Sequence, residues 1–301
     1  MWFKNLCLYR LTKPFELTAE ALHEKLSERV FHPIGKLEPA FTGWSEPLGE
    51  EGDQLAHSSG ACIMICTRKE EKILPAAAVR ELLDARIQEV EDKEGRKPGA
   101  KEKQRMKDEV LLDMMPRAFS KSSRNYAYID TRNGWMIVDT PNFNKAEEFI
   151  SLLRETLGSF PVVPVTVASA PGAIMTDWLT RHAPPADISI DDEAELRDPE
   201  KDGGIVKIRR QDLSSDEVSV HLEAGKRVTQ MALTFDDRIS FVIDDQLQLK
   251  RIRFTDTVLD EAEDADTAAQ RFDADFAIMS LEFSRFIPRL LEIFGGLADE
   301  G

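Results

Sequence analysis

Two helical segments that follow each other between extended segments constrain the fold of this chain most strongly. Pro75 opens the first, over Ala76–Glu94, and proline is well tolerated in the first turn of a helix. A Pro-Gly pair at 98–99 breaks the pattern, and a second helix follows over Lys101–Met115. Because strand-like alternation occurs on both sides, we expect an arm of two helices that projects from a sheet.

Two hairpin signals flank this arm. Gln54–His57 and Ala61–Arg68 surround a Ser-Ser-Gly turn, and in the second run alternate residues favour opposite faces of a strand. Arg124–Asp130 and Trp135–Thr140 surround Asn133-Gly134, a strong hairpin signal because both residues tolerate a positive φ. The first half therefore predicts a sheet interrupted by a helical arm.

The remaining patterns predict further strands and helices. Strands are expected at Trp2–Leu11, Phe160–Ala168, Ile205–Arg210, Lys226–Phe235, Arg238–Asp244 and Gln248–Thr255. Helices are expected at Ala19–Val30 after an N-cap at Thr18, from an N-cap at Asn144 with Glu147 in a capping box to Leu157, at Ile174–Arg181 and at Thr267–Phe294. Two prolines in Phe160–Ala168 favour an edge strand.

The fold class predicted from this order is α+β, with mixed or antiparallel sheets. Residues 1–158 form an N-terminal half that includes a basic helical finger, about 76–124, and residues 159–301 form a C-terminal half. Two acidic runs, Asp187–Glu200 and Asp256–Asp266, are interpreted as solvated surface or a subunit contact. A two-metal nuclease site built from such carboxylates is the less favoured alternative.

Charge is distributed unevenly along the chain. Residues 96–132 hold ten bases and five acids, about +5, whereas the whole protein carries −16. A local positive segment in an acidic protein favours an anionic partner, although a solvated helix face with mixed charge is the alternative. The bases proposed to contact that partner are Arg96, Lys97, Lys101, Lys103, Arg117, Lys121 and Arg124.

An aromatic residue lies among these bases. Pro116 ends the helical pattern, so Phe119 is expected on a loop rather than on an apolar helix face. A dimer contact or a small local core is the alternative for Phe119. In the second half, Lys207 and Arg209 share one face of the predicted strand that ends at Arg210 and Gln211.

Several classes of function lack their motifs. There is no Gly-x-x-x-x-Gly-Lys loop, Gly-x-Gly-x-x-Gly turn, Gly-x-Ser-x-Gly elbow or His-Glu-x-x-His helix in the sequence. Cys7, Cys62 and Cys66 cannot all pair, and the five histidines have no metal-binding spacing. We expect a reduced, cytoplasmic protein with no membrane span, metal or cofactor.

Separated blocks of sequence resemble one known family. They are Trp2-Phe3-Lys4-Asn5-Leu6, Arg68–Pro75, Lys107–Leu111, Pro116-Arg117-Ala118-Phe119-Ser120, Leu157–Pro164, Gln211-Asp212-Leu213, Glu223–Lys226 and Gln270–Phe276. Together they resemble the RdgC family of bacterial recombination-associated proteins over almost the whole chain.

The resemblance implies a homodimeric ring with a positive channel for double-stranded DNA, bound without marked sequence preference. It implies a nucleoid-associated protein that restrains the RecA recombinase by occupying DNA. Because catalytic motifs are missing, we expect the protein not to be an enzyme. Positions that match the family's DNA contacts are Phe119 and Arg210-Gln211, although the family often has Lys where Arg210 stands. The alternative is an inhibitor that binds the recombinase directly through acidic surfaces.

Overall fold

The computed structural model describes residues 1–200, 203–262 and 266–298, which form two antiparallel sheets and eight α-helices. The first sheet contains β1 (Cys7–Leu11), β2 (Ala40–Ser45), β3 (Ala56–Ser59), β4 (Cys62–Lys72), β5 (Ser120–Asp130), β6 (Trp135–Val138) and β7 (Val162–Pro164). The second contains β8 (Ile188–Arg197), β9 (Ile205–Arg209), β10 (Arg227–Phe235), β11 (Ile239–Asp244) and β12 (Leu249–Phe254). The helices are α1 (Ala19–Leu26), α2 (Ala76–Glu94), α3 (Ala100–Met114), α4 (Phe143–Leu157), α5 (Pro171–Arg181), α6 (Asp216–Glu223), α7 (Asp256–Leu259) and α8 (Ala268–Ile293). The fold is therefore α+β with antiparallel sheets, as the sequence predicts.

The first sheet is built around its two longest strands. Its order is β2–β4–β5–β6–β1–β7, and β3 pairs with the beginning of β4. β4 and β5 pair along their whole lengths, from Cys62 opposite Asp130 to Lys72 opposite Ser120. The proline-containing β7 lies at an edge, which confirms the expectation drawn from its prolines.

Alternation along β4 separates two hydrophobic cores. Cys62 and Met64 belong to the core that also contains the aromatic residues of α8. Ile63 and Ile65 point the other way, into the core formed with α1 and α4. Successive strand side chains face opposite sides of a sheet, so one strand contributes to both layers.

The second sheet is a meander covered by the long helix α8. Its order is β12–β11–β10–β8–β9, and Phe276, Phe283 and Phe286 of α8 are fully buried against it and against the first sheet. The side chain of Thr267 accepts from the Gln270 N–H at 3.2 Å, and Gln270 accepts from the Thr267 N–H at 3.1 Å. This capping box begins the helix where the sequence predicts it.

The two sheets meet through the N-terminal residues. Leu6 N–H donates to Leu249 O at 2.9 Å, and Ile252 N–H donates to Lys4 O at 2.8 Å. Residues 4–6 therefore bond to the edge strand of the second sheet, so the predicted strand Trp2–Leu11 is wrong in extent and only Cys7–Leu11 joins the first sheet. The division of the chain near residue 158 stays a prediction.

Three other local features differ from the sequence predictions. The acidic run at 187–200 contains strand β8, which the sequence did not predict, and its even-numbered residues Ile188, Ala194 and Leu196 are buried in the core. The N-cap of α4 is Asn142, whose side chain accepts from the N–H groups of residues 144 and 145. Helix α6 had no counterpart among the sequence predictions. Part of the second acidic run, residues 263–265, lies outside the described residues.

The predicted β5–β6 hairpin forms, with Asp130 opposite Trp135, but the conformation of its turn differs from the expected one. Gly134 has a φ of 75°, but Asn133 does not have a positive φ. Asp130 instead organises the turn, because its side chain accepts from the N–H groups of Arg132 at 3.1 Å and Asn133 at 2.9 Å. Separately, across the described ranges no helix has the length and apolar content needed to cross a bilayer.

Candidate nucleic-acid interface

The two-helix segment is an insertion between neighbouring strands of the first sheet. The pair Lys72–Ser120 is the last of the β4–β5 ladder, and Ile73 N–H donates to Phe119 O at 2.8 Å. These contacts close the foot of the helical insertion, residues 73–119. Gly95 ends α2 with a φ of 66°, a conformation that favours glycine, so the tip lies at residues 95–99.

Arg96 holds this tip together. Its Nη1 and Nη2 bond the two oxygens of Glu102 at 2.7 and 3.0 Å, and Nη2 lies 2.6 Å from a Glu94 oxygen. The hydrogen bonds to Glu102, and then the charges of Glu102 and Glu94, raise the pKa of Arg96. Arg96 was predicted as a DNA contact, but here it links the end of α2 to the start of α3.

Bases that follow the tip are exposed and carry no ion pair. Within the described residues, Lys97, Lys101, Lys103, Arg105 and Lys107 have no carboxylate oxygen within 4.0 Å of their side-chain nitrogens. On α3, Lys101 and Arg105 are one turn apart, and Lys103 and Lys107 are one turn apart on another side. The insertion therefore presents bases without an ion pair from the tip along α3.

Phe119 lies at the foot of the insertion rather than at its tip. Its side chain is 85% exposed, on the short connection between Arg117 and β5, which confirms the predicted loop. It borders a groove of about 510 Å³ whose apolar lining includes Ile73, Leu82 and Met114. An exposed aromatic beside an apolar groove is a surface suited to contact with another molecule.

Further bases lie near this foot. Arg117 and Lys121 are exposed and, among the residues described, make no ion pair. Arg124 lies directly across the ladder from Arg68, an unfavourable pairing of like charges. The guanidinium of Arg68 lies over the ring of Phe31, 4.5 Å from its centroid. Positive charge thus collects at the outer ends of β4 and β5.

The predicted bases of β9 are paired with acids of β8. Lys207 Nζ lies 3.0 Å from Glu195 Oε2, and Arg209 Nε lies 3.7 Å from Glu193 Oε1. Burial acts to raise the pKa of Glu195, but the hydrogen bond and charge of Lys207, with help from neighbouring groups, outweigh it and lower that pKa. Lys207 and Arg209 are therefore partly neutralised.

Arg210 and Gln211 follow directly and differ from each other. Arg210 is exposed, has a φ of 54° and makes no ion pair among the described residues. Gln211 donates its side-chain amide to Glu217 and, at 3.5 Å, to Ser215. Its backbone N–H donates to Asp192 O at 3.4 Å. Gln211 is thus held in place, whereas Arg210 is available to a partner.

Sequence reasoning missed three bases of the second sheet. Arg197 ends β8, and Arg251 and Arg253 lie on β12; all three are exposed. Arg251 has a φ of 52° at an irregularity of the β11–β12 ladder and forms a two-nitrogen contact with Glu193 at 2.8 and 3.0 Å. The run Leu249–Phe254 carries three bases in six residues, so the sequence alone could have indicated a basic strand here.

Other chemistry finds little support in the part of the chain that is described. No group of three or more His, Cys, Asp or Glu side chains there is placed to hold a metal ion. Cys7, Cys62 and Cys66 are free and buried, and burial raises the pKa of each thiol to about 12. Cys62 and Cys7 belong to the two hydrophobic cores, and Cys66 on β4 is fully buried.

Comparison with known proteins gives one consistent result. A family model described as "Putative exonuclease, RdgC" matches residues 1–297. The chain is 44% identical over 298 residues to a recombination-associated protein RdgC of Psychromonas ingrahamii, covering 98% of this chain and 99% of the relative. It is 42% identical to that of Aeromonas hydrophila, with 98% of each covered, and 43% identical to that of Yersinia pestis, with 99% of each covered.

Proposed function

The chain belongs to the RdgC family, and from this premise we propose that it binds double-stranded DNA without sequence preference. Two copies close into a ring whose basic lining surrounds the duplex. DNA occupied in this way is withheld from the RecA recombinase, which modulates recombination on the nucleoid. The activity needs no cofactor and no chemical step.

The observation that carries this proposal is the free charge of the helical insertion. Lys97 and the four bases of α3 are exposed and unpaired within the described residues of a protein whose net charge is −16. Lysine and arginine contacts to phosphate give affinity without reading sequence. A negative exterior repels DNA elsewhere, so local positive charge directs the duplex to one surface.

The foot of the insertion supports self-association as well. Phe119 is the most exposed large apolar residue among those that the structure describes, and Ile73 and Leu82 of the same groove are also exposed. An apolar groove does not match a phosphate backbone, whereas a symmetric dimer can bury the same patch from both copies. We propose this patch as one contact of the ring; a wedge against bases is the other role for Phe119.

Direct docking of the recombinase on acidic surfaces is the second candidate and is less well supported. Glu193 and Glu195 of the first acidic run are engaged by bases of the same chain. Asp191 accepts from the Thr234 hydroxyl at 3.1 Å. Glu193 and Glu195 are much less exposed than the bases that pair with them, so a basic partner meets like charge first.

A nuclease is the third candidate, because the family model carries the word exonuclease in its description. The curated relatives are instead called recombination-associated. Incubation of end-labelled linear duplex with the protein and Mg²⁺ or Mn²⁺ separates these possibilities. Intact DNA is the expected result, and shortened products that disappear on chelation would make the protein an enzyme.

Binding of a fluorescent random-sequence duplex across a salt series tests the proposal. We expect log affinity to fall linearly with log salt, with a slope near −0.9 for each phosphate neutralised. Arg210→Glu combined with Gln211→Ala should weaken binding, and Phe119→Ala should weaken it less. No binding by a folded, dimeric wild type would overturn the proposal and favour direct recombinase contact.

A further inference from the structure

The outer face of the second sheet is an open, charged surface. On β8, Ala194 and Leu196 are buried towards α8, so Glu193 and Glu195 point to the opposite side. On β9, Ile208 is likewise buried and its neighbours Lys207 and Arg209 share the face of the two glutamates. Strand alternation therefore places bases and acids side by side.

Two carboxylates on this face hold four bases. Glu195 lies 3.0 Å from Lys207 and 3.4 Å from Arg197. Glu193 lies 2.8 Å from Arg251 and 3.7 Å from Arg209. We call these six residues the counter-ion cluster. Its four positive charges exceed its two negative charges, and Arg253 adds another base that has no ion pair among the described residues.

The acids and the bases of the counter-ion cluster differ in solvent exposure. The side chains of Glu193 and Glu195 are 20% and 18% exposed, whereas those of the four bases are 50–70% exposed. The acids lie deep on the sheet surface and the bases stand above them. An approaching molecule therefore meets positive charge first, although Asp191 and the Lys250–Asp244 pair share the face.

The conformation of Arg251 adds a separate observation. A non-glycine residue at a φ of 52° is disfavoured, and such positions concentrate where a side chain must be aimed. Here the irregularity in β12 brings the guanidinium across the sheet to Glu193 on β8. Arg251 thus joins the cluster although its strand is not a neighbour of β8.

We propose that the counter-ion cluster is a second contact surface for the DNA backbone, and that Glu193 and Glu195 limit its affinity by competing with phosphate for the four bases. The proposal rests on the proposed function and adds its regulation. The four bases are at least half exposed, so phosphates can bond them from the solvent side in competition with the carboxylates. The glutamates keep the bases oriented while weakening non-specific binding, which lets a clamp move along DNA.

Glu193→Gln and Glu195→Gln test this directly. Each removes one negative charge a few ångströms from bound phosphate, so we expect roughly 3–10-fold tighter duplex binding at 0.1 M salt. The salt slope should steepen by up to about 0.9 for each base released. Glu24→Gln on α1 is the matched control, because it changes net charge equally but Glu24 is exposed and makes no ion pair in the described structure.

A double change separates competition from a structural role. In an Arg251→Gln background, the gain from Glu193→Gln should shrink, because one of the released bases is gone. If the wild type binds DNA and both Glu193→Gln and Glu195→Gln bind within twofold of its affinity, at an unchanged melting temperature, this inference alone is overturned. Equal gains with Glu24→Gln would also overturn it. Absence of wild-type binding would instead defeat the proposed function.

Discussion

Truncation of Phe119 separates a role in self-association from a role in folding. A phenylalanine contributes roughly 150–250 Å² of surface, and this side chain is 85% exposed. Covering the exposed part at roughly 25 cal/mol per Å² stabilises a contact by about 3–5 kcal/mol. The single chain has little to lose, so Phe119→Ala should change its unfolding free energy by under about 0.5 kcal/mol.

The dimer should respond much more strongly. Even a loss of about 2 kcal/mol, the usual threshold for a dominant interface residue, raises the dissociation constant roughly 30-fold. Sedimentation over a concentration series measures that constant, and urea unfolding measures stability. Leu281→Ala is the matched control, because Leu281 is 49% exposed on α8, away from the insertion. An unchanged dimer with weakened DNA binding would refute the contact and favour the wedge.

Two further predictions concern the folded chain itself. Glu282 is 2% exposed, and its oxygens bond Arg238 at 2.8 and 2.9 Å. Glu282→Ala should therefore lower the unfolding free energy, measured in urea, by roughly 2–3 kcal/mol, which is less than for a fully enclosed pair because Arg238 is partly exposed. A loss under about 0.5 kcal/mol would contradict this. The raised thiol pKa of Cys7, Cys62 and Cys66 means that the folded chain holds these protons more tightly than the unfolded chain, so their contribution to stability is complete below pH 9 and is lost as the pH rises towards 12. Alkylation at pH 8 should therefore need denaturant, and rapid labelling of the native protein would contradict the burial.

Features that depend on neighbouring residues were predictable from the sequence. The helices that begin after Pro75 and Thr267 start where expected, and β7, which ends at Pro164, lies at a sheet edge. Such signals act through backbone geometry within a turn or two. The error of two residues at Asn142 arose because two asparagines compete for one capping position.

Features that depend on distant residues were not predictable in the same way. Strand β8 was not predicted, because its acids indicated solvated surface. The bases that pair with these acids come from β9 and β12, which are distant in the sequence. The foot position of Phe119 follows from the ladder between β4 and β5, which joins residues about fifty apart. The site residues named from the sequence are thus located on the insertion, on β5, on β9 and directly after β9, but their contacts with DNA stay proposals.

Retention on DNA of different topology tests the ring most directly. The protein is loaded on closed circular plasmid at low salt and then challenged with salt high enough to abolish phosphate contacts. A ring should remain on the closed circle and be released when a single restriction cut linearises it. Equal loss from circular and linear DNA would contradict encirclement and leave only surface binding.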